Sequence, residues 1–259
     1  MEQISKYHIY KVLPSGGYGV NYVVYIDDPR ARLCLKKIVA PLDESEALRA
    51  KKLLAEIRSP FLTSFSDCFV DIDSELVLVS EYCTGGSLKD YIAHTQLTNE
   101  EIWEVITQII LGMKYLHNRG IVHRDLNLNN ILILSHEPGL RVKVADFYSS
   151  SVFGIFPEGL FGTYSYLSPE VLLGQTPSTA SDMWAFGIVL FYLTQNKFPF
   201  SSEQEILVGS LKFDNHNCEV TPLIVKLLSQ DPSLRPSSFE LASHPRIRAV
   251  IEEHRKIWR

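Results

Sequence analysis

Residues 123–130 read HRDLNLNN, and the apolar segment ILIL follows directly at 131–134. Asp125 and Asn130 lie five positions apart in this stretch. A carboxylate can accept the proton of a hydroxyl group, and the amide oxygen of asparagine can bind a metal ion. Sixteen residues after Asn130, Asp146 stands in VADFY at the end of a further apolar segment. Oxygen ligands at the ends of adjacent strands suit magnesium, which binds a few carboxylates together with substrate phosphates.

A glycine-containing stretch, SGGYG at 15–19, lies between two strand-like segments. Its candidate phosphate-binding residues are Ser15, Gly16, Gly17 and Gly19. Glycines let backbone amides approach a phosphate closely, although a plain hairpin turn has the same composition. Seventeen residues after Gly19, Lys36 stands on the next apolar strand, in LCLKK. Lys36 would either meet a phosphate or snorkel to water, and Lys37 beside it is expected to be the surface lysine.

In this order and at these spacings, the motifs resemble those of the eukaryotic-type protein kinase domain over about residues 7–247. SGGYG resembles the glycine-rich loop, LCLK the lysine-bearing strand and HRDLNLNN the catalytic loop, while DFY at 146–148 stands where that family has DFG. SPE at 168–170 resembles the APE motif, and Arg235 of DPSLRPS is expected to pair with Glu170. EYCTGGSL and GTYSYLSPE resemble the NIMA-related and Ste-type groups, with the NIMA-related group preferred.

The resemblance implies an α+β fold, the bilobal protein kinase fold, with a β-rich N-lobe that holds one main helix and a mostly helical C-lobe. It places the N-lobe and the start of the connector at 1–83 and the C-lobe at 84–259, together forming one kinase domain. The hydrophobic patterns agree with this division. The expected strands are 7–13, 20–26, 32–39, 62–71, 75–81 and 131–134, and the expected helices include 43–57, 99–118 and 181–194.

The resemblance also implies ATP and Mg²⁺ as cofactors and assigns roles to single residues. Lys36 would hold the α- and β-phosphates, and Asp125 would orient the substrate hydroxyl and accept its proton. Asn130 and Asp146 would hold magnesium. The implied nucleotide-binding residues are Ser15, Gly16, Gly17, Gly19, Cys34, Lys36, Ser80, Glu81, Cys83 and Leu132, with Ser80 as the gatekeeper. The implied spine of packed residues is Leu54, Phe65, His123 and Phe147, with Asp182 beneath.

Three positions depart from the family pattern in ways that bear on nucleotide binding. Pro14 stands where the first glycine of the loop is expected, and Asn21 replaces the apolar residue that covers adenine. The polar side chain loses apolar contact of about 1 kcal/mol, so nucleotide binding should weaken but need not vanish. Tyr148 replaces the glycine of DFG and restricts the backbone there, so the motif should be held in one state, in or out.

Two further departures bear on catalysis. Ala50 stands where the family has the helix glutamate that pairs with the lysine. Either Glu46, one helical turn earlier, takes its place, or Lys36 has no helix partner and holds phosphates less firmly. Asn127 replaces the catalytic-loop lysine of serine/threonine kinases. Loss of that cation should lower the rate roughly 10²–10³-fold, although asparagine can still donate a hydrogen bond.

The activation segment, 146–170, carries three expectations. Arg124 could bind a phosphate there, and Glu158 is expected to act as its built-in partner without phosphorylation. The serines at 149–151 are either modification sites or ordinary solvated loop residues. Thr163 is expected to contact Asp125, as in serine/threonine kinases.

Two functions of different classes remain open. The first is a protein kinase that transfers the γ-phosphoryl group of ATP to serine or threonine with impaired catalysis, because the lysine, both aspartates and the asparagine are retained. The second is a pseudokinase that acts as a scaffold or allosteric partner, with or without nucleotide, because Ala50, Asn127 and Tyr148 occur together. The expected partners are therefore a protein substrate or a regulatory protein.

Composition bears on the class of partner and on the cellular location. The chain has 259 residues and a net charge of −5, which disfavours a basic nucleic-acid-binding domain. Its four cysteines show no zinc-site spacing, which predicts reduced thiols and a cytoplasmic location. No apolar run approaches the ~20 residues of a membrane span. Four histidines without metal-ligand pairing are expected at the surface or in turns, namely His117, His136, His216 and His244.

Overall fold

The computed structural model describes residues 3–13, 19–38, 44–135, 139–147, 162–214 and 219–258. Its eight strands within these ranges are β1 (Gln3–Ile4), β2 (Tyr7–Val12), β3 (Val20–Tyr25), β4 (Leu33–Ile38), β5 (Phe65–Val70), β6 (Leu76–Glu81), β7 (Ile131–Ser135) and β8 (Arg141–Val144). The helices in the same ranges are α1 (Glu44–Ala55), α2 (Leu88–Ile92), α3 (Asn99–His117), α4 (Pro169–Leu172), α5 (Thr179–Gln195), α6 (Glu203–Val208), α7 (Thr221–Leu227), α8 (Ser238–Ala242) and α9 (Pro245–His254). Short 3₁₀ turns lie at Tyr164–Tyr166 and Pro232–Leu234.

The first six strands form one antiparallel sheet in the order β1-β2-β3-β4-β6-β5. Helix α1 packs against β5 and buries Ala47, Ala50 and Leu54, which repeat at helical spacing on one face. Strand β4 runs through the middle of the sheet, so that Lys36 lies opposite Asn21 on one side and Leu78 on the other. The sheet therefore places Lys36 at its centre.

The second half of the chain is mostly helical and is built on α5. Serine at the N-cap, Ser178, accepts a hydrogen bond from the first turn of α5, and the helix is buried from Ser181 to Phe191. Such all-round burial identifies α5 as the centre of this lobe. Among the described residues no helix combines the length and the apolar character that crossing a membrane requires.

The observed elements agree closely with the predicted ones, and the β-rich half followed by a helical half confirms the predicted fold class. Strands β2, β3 and β4 differ from the expected ranges by one residue at their ends, within the described part of the chain. Helix α3 ends at His117, one residue before the predicted end, and begins in a capping box formed by Thr98 and Glu101. One expected strand, 62–71, is shorter and begins only at Phe65.

Candidate active site

The predicted catalytic loop, residues 123–130, is anchored by a buried carboxylate. Asp182, in the first turn of α5, accepts hydrogen bonds from the backbone N–H of His123 at 2.8 Å and of Arg124 at 3.0 Å. Arg124 has a φ of +70°, a conformation that costs about 1–3 kcal/mol for a residue other than glycine. The His123 ring lies 2.9 Å from the carbonyl of Ala145, the residue before Asp146. These contacts fix the loop that presents Asp125.

The Asp125 carboxylate is surrounded by donors. Its Oδ1 accepts from the Thr163 N–H at 2.8 Å and from the Thr163 hydroxyl at 2.9 Å. The side-chain amide of Asn127 donates to Oδ1 at 3.1 Å, and that of Asn130 donates to Oδ2 at 3.0 Å. The predicted contact between Thr163 and Asp125 is therefore present. Four hydrogen bonds hold this carboxylate in one orientation.

Gly162 allows Thr163 to approach Asp125 closely. Its φ is +117°, and a Cβ added there would lie 2.7 Å from the carbonyl oxygen of Arg124. Any side chain would therefore push Thr163 away from Asp125.

Asn127 uses both ends of its amide within the loop. Its oxygen accepts from the backbone N–H groups of Asn129 at 2.8 Å and Asn130 at 3.3 Å. Its nitrogen donates to Asp125 and, at 3.1 Å, to the Thr163 hydroxyl. The residue is 2% exposed. The donor capacity that remains after loss of the lysine is thus used on Asp125 within the loop and on Thr163.

The residues expected to bind metal are brought together by strands β7 and β8. These strands pair antiparallel, with Ile131 opposite Val144, and the Ala145 N–H donates to the carbonyl of Asn130 at 2.8 Å. Asn130 and Asp146 consequently follow adjacent strand ends. The amide nitrogen of Asn130 is turned to Asp125, which leaves its oxygen as the ligand atom. A carboxylate and an amide oxygen are donors that fit a hard cation such as Mg²⁺.

Lys36 pairs with Asp146 rather than with helix α1. Its ammonium lies 2.7 Å from Asp146 Oδ2, and this is its ion-pair partner among the described residues. Ala50 is fully buried against the sheet, while Glu46 lies on the exposed side of α1. Substitution of Glu46 for the missing glutamate is therefore not observed, and Lys36 is paired in another way. Asp146 has a φ of +60°, so both this residue and Arg124 have left-handed backbones beside the site.

Helix α1 is instead attached to the sheet at its outer edge. The Lys51 ammonium lies 2.5 Å from Oδ1 of Asp67 on β5. The same carboxylate accepts from the Tyr7 hydroxyl at 2.9 Å and pairs with Lys6 at 3.2 Å. Burial acts to raise the pKa of Asp67, but Lys51, Tyr7 and Lys6 outweigh it, so the pKa is lowered.

Lys37 was expected to be the surface lysine of the two, and it is the more exposed one, but its ammonium is paired with carboxylates. Its side chain is 13% exposed, and its ammonium lies 2.7 Å from Asp71, 3.1 Å from Asp73 and 2.7 Å from Glu75. Burial acts to lower the pKa of Lys37, but these three carboxylates raise it well above its usual range. One lysine thus offsets part of the negative charge of the three carboxylates in the turn between β5 and β6.

The predicted nucleotide-binding residues of the sheet and connector lie on neighbouring strands. Cys34 of β4 is opposite Ser80 of β6, and both belong to the central part of the sheet. Leu132 of β7 forms a bridge with Ser87, which brings the second half of the chain against the connector that contains Cys83. Burial and the nearby charge of Asp146 raise the pKa of Cys34 to about 12.

Gly19 is required for sheet pairing. A Cβ at this position would lie 2.1 Å from the carbonyl oxygen of Lys37, and its φ is +138°. The other predicted loop residues, Ser15, Gly16 and Gly17, lie outside the described residues, as does Pro14.

Glu81 has a partner that the sequence analysis missed. Its carboxylate lies 2.6 Å from the ammonium of Lys143 on β8 and accepts from the N–H of Ser64 at 3.1 Å. Burial acts to raise the pKa of Glu81, but Lys143 and Ser64 outweigh it and lower the pKa. No sequence pattern indicates this pair, which fixes the start of the connector to the strand that leads into Asp146.

The remaining predictions have mixed outcomes. The spine residues are buried: Leu54, Phe65, His123, Phe147 and Asp182 are each at most 8% exposed. His117 was expected at the surface, but its ring is buried between Asp182 at 2.9 Å and the Ser238 hydroxyl at 3.0 Å. The prediction was wrong because the end of α3, which carries His117, packs against the starts of α5 and α8. Several positions lie outside the described residues: Tyr148, 149–151, Glu158, His136 and His216.

The expected pair between Arg235 and Glu170 is present and buried. The guanidinium donates to the two carboxylate oxygens at 2.7 and 2.8 Å. This pair joins α4, which follows the segment that holds Thr163, to the loop before α8.

Comparison with known proteins agrees with this geometry. Residues 7–247 match the family described as "Protein kinase domain". The chain is 35% identical over 216 residues to a "Calcium and calcium/calmodulin-dependent serine/threonine-protein kinase" of Lilium longiflorum, covering 78% of this chain and 41% of the relative. It is 31% identical over 258 residues to "Serine/threonine-protein kinase Nek8" of Danio rerio, covering 93% of this chain and 37% of the relative.

A solved structure has the same fold. The crystal structure of Rad53 1-466 in complex with AMP-PNP superposes with a TM-score of 0.79 and 27% identity, covering 93% of this chain and 65% of that one. The chain spans about two fifths of the length of the lily kinase and of Nek8. The bilobal kinase fold and the similarity to NIMA-related kinases that the sequence analysis expected are both supported.

Proposed function

This chain belongs to the protein kinase domain family, and we propose that it transfers the γ-phosphoryl group of ATP to serine or threonine side chains of proteins. The observation that carries the proposal is the set of donors around Asp125. Thr163, Asn127 and Asn130 hold its carboxylate in one orientation. That arrangement suits a group that must orient a hydroxyl nucleophile and accept its proton.

Asp125 retains capacity for the substrate. Among the described residues, its Oδ1 accepts three hydrogen bonds, whereas Oδ2 accepts one, from Asn130. A carboxylate oxygen can accept at least two hydrogen bonds, so Oδ2 has room for a further donor. A serine or threonine hydroxyl placed within about 3 Å of Oδ2 would pass its proton to this oxygen as the hydroxyl oxygen bonds to the γ-phosphorus, while the bond from the γ-phosphorus to the β,γ-bridging oxygen breaks and ADP leaves.

Lys36 would leave the Asp146 carboxylate and bind the phosphates of the nucleotide. Its ammonium now pairs with Asp146 at 2.7 Å and would turn to the phosphate oxygens. Asn130 and Asp146 would hold Mg²⁺, which supplies charge neutralisation on the transferring phosphate. Cys34, Ser80 and the connector backbone at Glu81 and Cys83 would surround the adenine.

We further propose that the rate is low. Lys36 has no carboxylate partner on α1, so nothing from that helix restrains it when Asp146 is released. Asn127 directs its amide to Asp125 and Thr163 and adds no cation at the phosphate. Loss of one preorganised electrostatic contact lowers rates roughly 10²–10³-fold.

The same observations favour a second candidate, a pseudokinase that acts through binding. Ala50 is fully buried, and Asn127 donates to Thr163. Both substitutions lower the expected rate of phosphotransfer, but both residues fit the fold. In this case the partner is a regulatory protein rather than a substrate. In either case we propose the cytoplasm as the location, because the described cysteines, Cys34, Cys68 and Cys83, are free thiols.

Phosphotransfer from labelled ATP with magnesium separates the two candidates. Autophosphorylation and a generic basic protein substrate are tested with wild type and with Asp125→Asn, which keeps the shape but removes the proton acceptor. Signal that is lost in the variant supports the kinase, and signal that survives is contamination. No signal from folded wild type supports the pseudokinase. A thermal shift with ATP then tests binding, since ligand at 100 times its Kd adds about 2.7 kcal/mol to the free energy of unfolding.

A further inference from the structure

Trp258 lies eleven residues beyond position 247, where the match to the protein kinase family ends. We propose that Trp258 is a positioning residue for phosphotransfer: it clamps residues 58–63, which in turn hold the strand that leads into Asp146. The inference rests on the proposed function for its catalytic meaning. Whether Trp258 restrains residues 58–63 is tested independently of the proposed function.

Trp258 is anchored by two aromatic contacts. Its ring meets that of Phe61 edge to face, with centroids 5.9 Å apart and planes at 89°. It stacks on the ring of His254 at 4.6 Å and 15°, and the backbone N–H of Trp258 donates to the His254 carbonyl at 3.0 Å. Trp258 is 7% exposed. The last described residue of the chain is therefore part of the core.

Residues 61–63 are hydrogen-bonded to strand β8. The carbonyl of Phe61 accepts from the Val144 N–H at 2.9 Å, and the Thr63 N–H donates to the Val144 carbonyl at 3.0 Å. Leu62 and Val144 form an isolated parallel bridge. Val144 lies two residues before Asp146. A shift of Phe61 would therefore be passed to Asp146 through two backbone hydrogen bonds.

Residues 58–61 also contact helix α3. A Cβ at Gly112 would lie 3.1 Å from the Phe61 carbonyl oxygen, so the helix touches this loop directly. The Tyr115 hydroxyl accepts from the Arg58 N–H at 2.7 Å. His254 Nε2 lies 3.0 Å from Glu104 Oε1, which ties α9 to the same helix. Helix α3 supports the loop on one side, and Trp258 covers it on another.

Trp258→Ala removes the ring contact and tests the clamp by amide hydrogen exchange. Loss of an edge-to-face aromatic pair should make exchange at 61–63 and 142–146 about 2- to 12-fold faster. Trp258→Phe, which keeps an aromatic ring, should restore most of the protection. Affinity for ATP with magnesium should fall about fivefold in Trp258→Ala, because the Asp146 backbone is less well held.

The matched control is Trp103→Ala. Trp103 is also buried, at 3%, and stacks on His244 rather than on Phe61. It should lower the melting temperature without a selective change at 61–63 and 142–146. If both tryptophan variants accelerate exchange equally across the chain, or if Trp258→Ala leaves these segments protected, the clamp is refuted. If Trp258→Ala does not fold, Phe61→Leu must give the same selective exchange, or the clamp is likewise refuted.

The two proposals fail separately. Wild type that binds no nucleotide contradicts the proposed function, while the exchange comparison still decides whether Trp258 restrains the loop. Selective exchange with unchanged nucleotide affinity would refute the catalytic meaning of the clamp and keep only its structural part.

Discussion

Arg235→Met should destabilise the protein severely, because it leaves a buried carboxylate without its partner. The Arg235 side chain is fully buried and donates to both oxygens of Glu170, at 2.7 and 2.8 Å. It also donates to the carbonyls of Ser229 at 2.9 Å and Ala180 at 3.0 Å. Methionine fills much of the volume but makes none of these four bonds.

The magnitude follows from the loss of one partner of a buried pair. Breaking such a pair costs about 3–5 kcal/mol, a large part of the 5–15 kcal/mol that typically separates folded and unfolded domains. At about 2–4 °C per kcal/mol for a chain of this size, a loss of about 4 kcal/mol lowers the melting temperature by about 8–16 °C.

The pH dependence should change sign. In wild type burial acts to raise the pKa of Glu170, but Arg235 outweighs it and the pKa is lowered. A lowered pKa contributes stability that is present above the unfolded value, about 4.3, and is lost as pH falls through the folded value. Without Arg235 burial dominates and raises the pKa of Glu170. Arg235→Met should therefore become more stable as pH falls from 7 toward 5, where wild type changes little through this group.

Urea unfolding followed by circular dichroism at pH 7.5 and pH 5.5 measures both effects. Adding Glu170→Gln to Arg235→Met removes the unpaired charge and should recover part of the loss at pH 7.5. Arg255→Met is the matched control, because Arg255 pairs with Glu252 at the surface and such pairs contribute less than about 1 kcal/mol. A loss below about 1.5 kcal/mol for Arg235→Met, or a pH dependence like that of wild type, would refute this reasoning.

Three smaller predictions concern the site. Lys36→Met should weaken ATP binding at least about tenfold by calorimetry, whereas Lys37→Met should leave the affinity unchanged since its ammonium faces another cluster. Asn127→Ala should lower phosphotransfer roughly 10–100-fold by releasing the catalytic carboxylate, and the exposed neighbour variant Asn129→Ala should not. Cys34, with a pKa raised to about 12, should resist iodoacetamide at pH 8 in the folded protein and react on unfolding, as read by mass spectrometry of its peptide.

The main elements of the fold could be predicted from local patterns. Segments rich in β-branched and aromatic residues indicate strands such as β3, and the predicted apolar stripe of α1 includes Ala47 and Leu54, which are buried. These signals are local because each element uses its own period to bury one face. The spacing from Asp125 to Asn130 likewise survives into the structure, where the two side chains bond to one another.

Contacts were missed where a side chain meets a distant segment. Lys37 and Lys36 are neighbours in one motif, yet one pairs with the turn after β5 and the other with Asp146. His117 ends a helix that looks amphipathic, but its ring is covered by α5 and α8. Burial of a polar side chain depends on which elements pack over it, and one sequence contains no periodic signal for that.

The sequence by itself determined which chemical groups this protein has and in what order its strands and helices arise, because motif spacing and hydrophobic period are properties of short segments. Tertiary structure alone decided the partners: Lys36 with Asp146 across 110 positions, Asn127 with Thr163, and Trp258 with Phe61. The physical reason is that a charge, an amide or a ring is satisfied by whatever the fold places within a few ångströms, and that neighbour is set by strand order and helix packing rather than by position along the chain.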